Sequence, residues 1–87
     1  MIKIHFKPSF VRSLKELESG LLQEVLEKIE LFRDEKNHAA LKVHKFRGPL
    51  SGKSSFSVNY AYRIVFIYES KKEAVLLAFG DHDIYLQ

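Results

Sequence analysis

Cysteine is absent from this sequence of 87 residues. That excludes a disulfide framework and any Cys-ligated zinc site, so stability has to come from packing, as suits a reducing cytosol. No apolar run approaches the length of a membrane span, and the opening MIKIHFKPSF alternates charge with apolar residues where a signal peptide would be continuously apolar. Internal repeats and low-complexity segments are missing too. The reading is a soluble, cytoplasmic protein with no membrane partner. Acid is missing from one long stretch: between Lys36 and Tyr68 stand Lys36, Lys42, Lys45, Arg47, Lys53 and Arg63, together with His38 and His44, and not one Asp or Glu. The formal charge of +3 conceals this asymmetry, because six basic residues face seven acidic ones up to Glu35, and eight face four from Lys36 onward. Such a segment is a candidate footprint for a polyanion, or else a basic surface that is merely solvated.

With 46% hydrophobic and 13% aromatic residues, the chain can bury one modest core, which predicts a single domain over 1–87. IKIHFK alternates with period two, placing Ile2, Ile4 and Phe6 on a buried face and Lys3, His5 and Lys7 outside. After Pro8 and Ser9, the spacing of Phe10, Val11, Leu14 and Leu17 predicts a short helix ending at Gly20. Leu22, Val25, Leu26, Ile29 and Phe32 predict a second, with Glu24 and Lys28 paired on its wet face. The short connection favours a helical hairpin laid on a sheet. LKVHKF alternates briefly, GPLSGK is a loop, and the alternation of Phe56, Val58 and Tyr60 leads to a hairpin turn at Asn59 to Ala61. AYRIVFIYE is a strand, Ser70 to Lys72 a turn, and EAVLLAFG reads as a strand covered on both faces. The fold class is α+β: a strand, two helices, then three or four mainly antiparallel strands and a short C-terminal turn or helix.

Arg63 is the only charged residue from Phe56 to Tyr68. A charge inside a strand needs a partner or a path to water, so this arginine either reaches Glu69 or Glu73 or presents a planar fork to phosphate. His44 is crowded by Lys42, Lys45 and Arg47, which disfavour the imidazolium and leave a neutral ring able to accept a proton; an exposed, idle histidine is the alternative. His5 and His38 read as solvent residues. In GDHDIY, Gly80 lets the chain leave the sheet, Asp83 is a good N-cap, and Asp81 and Asp83 favour a protonated His82, as a general acid requires. Tyr85 returns to the same side of a helical turn. Three consecutive side chains radiate apart, which makes Asp81, His82 and Asp83 a poor metal site, and no metal or cofactor is expected.

GPLSGK, YAYRIVF and LLAFGDHDIY together resemble the RelE/ParE toxin superfamily of bacterial toxin–antitoxin modules, particularly its RelE, YoeB and YafQ ribonuclease branches, over essentially the whole chain. The resemblance implies a RelE-like fold and a metal-independent endoribonuclease that cuts messenger RNA in the ribosomal A site. Arg63 matches the arginine that contacts the scissile phosphate, while His82 and Tyr85 fall at the C-terminal His/Arg and aromatic positions. Counted back from Arg63, His44 lines up with a residue that is glutamate in YoeB-like toxins and histidine in YafQ-like ones. Two departures stand out: the lysine pair of RelE is replaced near Ser54 and Phe56, and the spacing from His82 to the aromatic differs by one. The implied roles are His44 as base, His82 as acid, Arg63 on the transition state, Tyr85 against a base, and Lys42, Lys45, Arg47 and Lys53 on backbone phosphates. An acidic antitoxin is the implied partner and the route to any oligomer. A ParE-like gyrase inhibitor without nuclease activity, or a degenerate toxin that only binds antitoxin, are the alternatives.

Overall fold

A computed structural model describes residues 1–81. The alternating start forms β1 (Lys3–Phe6), with Ile2 and Ile4 buried. Phe6 departs from the expected parity and is 41% exposed at this edge strand, its ring stacked on Phe10 at 6.1 Å. Pro8 occupies the first turn of α1 (Pro8–Leu14), where its missing N–H costs nothing. α1 is shorter than its apolar spacing predicts, and Gly20 does not end it. Gly20 lies instead in the first turn of α2 (Ser19–Phe32), whose N-cap is Glu18: the carboxylate accepts from the Gly20 and Leu21 amides at 3.1 and 2.5 Å. A Cβ on Gly20 would meet that carboxylate at 3.2 Å, so the glycine makes room for the cap. α2 buries Val25, Ile29 and Phe32, while Leu26 lies on its exposed side.

Five strands form one mixed sheet in the order β1-β5-β4-β3-β2, with β2 (His44–Lys45), β3 (Ser54–Ser57), β4 (Tyr62–Ser70) and β5 (Glu73–Asp81). β1 runs parallel to β5 and the other pairings are antiparallel. The loop from Gly48 to Gly52 needs glycine at both ends, where φ is +68° and +94°. One face of the sheet carries Phe56, Ile64, Phe66, Ala74 and Leu76 into a core shared with Phe10 and Leu14 of α1 and the buried face of α2. Both helices pack there, which makes the α+β architecture two layers. β5 is accordingly not covered on both faces: Ala74 and Leu76 are buried, whereas Val75 and Leu77 are half-buried. Its apolar run without alternation has a second cause, a β-bulge, since Val65 pairs Ala78 but Phe66 pairs Leu76 and leaves Leu77 extra.

His38 is structural and not a solvent residue. Its ring stacks on Phe32 at 4.7 Å and its Nε2–H donates to the Phe32 carbonyl at 2.8 Å, closing the end of α2. His5 is exposed and meets Glu73 at 3.0 Å. Beyond α2, Glu35 accepts from the Lys72 ammonium of the β4–β5 turn, and this hydrogen bond, with one from its own backbone, lowers its carboxyl from about 4.5 to about 2. A depressed carboxylate stabilises the fold above its ordinary value and loses that contribution as pH falls through the window from about 4.5 to about 2. Glu35→Gln should therefore melt with a flatter dependence on acid in that window than wild type. Parallel melting curves from pH 2 to pH 5 would disprove this.

Candidate RNA-binding and catalytic site

The face opposite the helices is set by register. Ser55 pairs with His44 on one side and Val65 on the other, and Ser57 pairs with Arg63, so His44, Ser55, Ser57 and Arg63 share that face. Lys53 joins them, because its carbonyl accepts from the Phe46 amide at 3.0 Å and it lies two residues before Ser55. Lys45 has the opposite parity and lines a shallow recess with Tyr68, Ser70 and Lys71. Arg47 precedes the Gly48–Leu50 turn, outside the strand. Ser54 and Phe56 are buried on the helix side, so the β3 residues that flank Arg63 are Ser55 and Ser57. His82 and Tyr85 lie outside the described residues.

Arg63 Nη1 donates to Ser57 Oγ across the β3–β4 pair. That fixes a planar guanidinium at a cleft of about 460 Å³, lined also by Lys42, Lys28, Glu24, Asn59 and Tyr60. Three cations and one carboxylate thus line the cleft, and that carboxylate accepts a hydrogen bond from Asn59 Nδ2 at 2.8 Å. The cleft therefore carries a net positive lining.

Lys42 reaches the cleft through a distortion of the β2 edge. His44 pairs with Ser55, yet the Ser57 amide donates to the Leu41 carbonyl at 2.8 Å, so Lys42 and Val43 span what Phe56 spans alone. Lys42 absorbs the extra residue in the left-handed region at φ +58°, a costly place for a side chain and one common where a bulge re-aims a residue. The same turn orients His44. Its Nδ1 is 3.1 Å from the Lys42 carbonyl, and a carbonyl can only accept, so Nδ1 carries the hydrogen of that bond and the ring is held by the bulged turn. Ideal strand spacings put the Cα atoms of His44 and Arg63 roughly 12 Å apart.

Compared with solved structures, the chain matches the archaeal RelE–RelB complex from Pyrococcus horikoshii OT3 with a TM-score of 0.71 at 18% identity, covering 92% of this chain and 93% of that one. The chain has the RelE-like toxin fold. Similar agreement extends to the RelBE2 toxin–antitoxin complex from Mycobacterium tuberculosis, with a TM-score of 0.70, 19% identity and coverage of 93% and 98%. YafQ from E. coli strain BL21(DE3) aligns over the full length of both chains with a TM-score of 0.68 at 13% identity. No protein-family model matches the sequence, and neither does any curated protein. At such identities the RelE-like likeness is one of fold, and the site has to be argued from this chain's own side chains.

Sequence reasoning passed over Lys28, Ser57, Asn59 and Tyr60. Ser57 was within reach, since a turn centred on Tyr60 makes residues 57 and 63 equidistant partners. Lys28 was not, because only the packing of α2 brings it beside the hairpin. Among the described residues no three His, Asp or Glu gather closely enough to hold a metal ion. No described helix is long and apolar enough to cross a membrane.

Proposed function

We propose that this chain is the toxin of a type II toxin–antitoxin pair and cleaves messenger RNA on the ribosome. The observation that carries the reading is the arginine fork held on Ser57 at a cationic cleft, on the sheet face that also bears His44 with its Nδ1 held by the Lys42 carbonyl. In this reading the 2′-hydroxyl of the nucleotide gives its proton to His44 Nε2 and attacks the adjacent phosphorus. Arg63 neutralises charge on the pentavalent transition state, the 5′ oxygen leaves with a proton from His82, and the products carry a 2′,3′-cyclic phosphate and a 5′-hydroxyl. Lys42 and Lys53 hold neighbouring phosphates, Tyr85 orients a base, and Lys45 and Arg47 add to the attracting field from further off. The RelE, YoeB and YafQ neighbours support the assignment to this class, and several of them are toxin–antitoxin complexes. The corresponding partner here is an acidic antitoxin segment that folds along the acid-free stretch and shields the site in the cytoplasm.

Induced expression followed by mapping of transcript ends tests the proposal. New 5′-hydroxyl ends should appear, and co-expression of the acidic product of the neighbouring reading frame should suppress them. Unaltered transcripts with loss of DNA supercoiling would replace this reading with gyrase inhibition. For the base, His44→Gln should abolish the fall in cleavage on the acid side of the pH profile, because no imidazole remains there to be protonated. An acid limb identical to that of wild type would remove His44 from proton transfer.

A further inference from the structure

Tyr60 stands at the tip of the β3–β4 hairpin and is 91% exposed, more than any other large apolar side chain that faces solvent among the described residues. Single exposed aromatics are ordinary on protein surfaces. This one is held in place. Asn59 Oδ1 accepts from the Ala61 and Tyr62 amides, each at 2.8 Å, which already closes the turn. Its Nδ2 then donates to Glu24 on α2, 35 residues away in sequence, and so ties the tip to the helix. The Val58 amide closes the same turn on the Tyr62 carbonyl at 3.0 Å. A turn that only had to reverse the chain needs the first pair of bonds and not the tie to α2. The tie fixes the backbone of the tip that carries Tyr60, and Tyr60 lines the Arg63 and Lys42 cleft.

An aromatic face kept in water beside a phosphate-sized cationic cleft matches how single-stranded nucleic acid is bound: the backbone follows the charge and an unstacked base lies on the ring. Resting on the nuclease reading above, we infer that Tyr60 is a stacking platform for the base of a nucleotide next to the phosphate held at Arg63, with Asn59 and Glu24 as its positioning residues. Rigidity of the tip matters here because a backbone fixed before binding loses little freedom when the base arrives.

The test uses a 2′-O-methylated oligoribonucleotide carrying 2-aminopurine, whose nucleophile is blocked and whose fluorescence falls on stacking. Wild-type protein should quench the probe, Tyr60→Phe should quench it as well, and Tyr60→Ala should lose the quench with an affinity lower by about 5- to 150-fold, the scale of one base–aromatic stack. Asn59→Ala, which keeps the ring but releases the tip, should weaken binding without removing the quench. Equal affinity and quench for wild type and Tyr60→Ala overturns the inference. So does a wild type that leaves the probe unquenched; if that same protein cuts transcripts in cells, the nuclease reading stands while the platform falls, and if it cuts none, both fall.

Discussion

Arg63→Ala is expected to lower RNA cleavage by about two to three orders of magnitude while shifting the thermal midpoint by less than about 8 °C. The first figure is the scale of removing one preorganised donor from a charged transition state. Arg63 suits that role because its fork is fixed by Ser57 Oγ before substrate arrives, so little reorganisation is left for the moment of reaction. The second figure follows from where the residue sits. It lies on the sheet face away from the helices and is not a member of the core cluster, so its removal forfeits polar contacts such as the one to Ser57, each on the order of 1 kcal/mol. Arg63→Lys should fall between the two, since an ammonium keeps the charge but not the bidentate geometry. Cleavage per folded molecule and melting are measured on the same preparations. Normal cleavage with a large loss of stability would turn Arg63 into a structural residue.

Periodicity carried the fold a long way. The alternation of Ile2 and Ile4, the stripe of Val25, Ile29 and Phe32, and the turn at Asn59 to Ala61 each appear where local pattern places them, because burial on one face is enforced at every step of the chain. What pattern could not supply were events created by contact between distant segments. Gly20 looked like a helix terminator until the Glu18 carboxylate folded back on it. His38 looked solvated because its partner, the Phe32 ring, is found only once α2 has packed. The apolar run of β5 read as a fully covered strand, whereas a bulge at Leu77 breaks its alternation and leaves half of it without a helix. The site divides in the same way. The isolation of Arg63 and the basic setting of His44 are visible in sequence; the left-handed turn at Lys42 and the approach of Lys28 depend on the β2 edge and on α2.

Phe32→Ala should be the most damaging core substitution, with a loss of about 3–5 kcal/mol and a midpoint lower by about 12–40 °C. The ring is fully buried and lies where three elements meet. It stacks on Phe56 of β3 at 4.5 Å, meets Phe66 of β4 edge-on at 4.8 Å, and carries the His38 ring on its other side at 4.7 Å. Two stacked contacts and one edge-on contact around one side chain leave no neighbour able to collapse into the space, because each is itself held by the sheet or by the hydrogen bond from His38 to the Phe32 carbonyl. Domains are stable by only about 5–15 kcal/mol, so this loss puts much of the population near unfolding at physiological temperature. Its signature is the reverse of the Arg63 variant. At low temperature, where the remaining folded molecules keep the Ser57–Arg63 pair on the face away from the helices, cleavage per folded molecule should stay within about tenfold of wild type, and activity should vanish along the melting curve. Denaturant melts paired with cleavage assays at 10 °C and 37 °C decide it. A midpoint within a few degrees of wild type would show that the core is centred elsewhere, and a folded but inactive protein would couple this aromatic cluster to the chemistry directly.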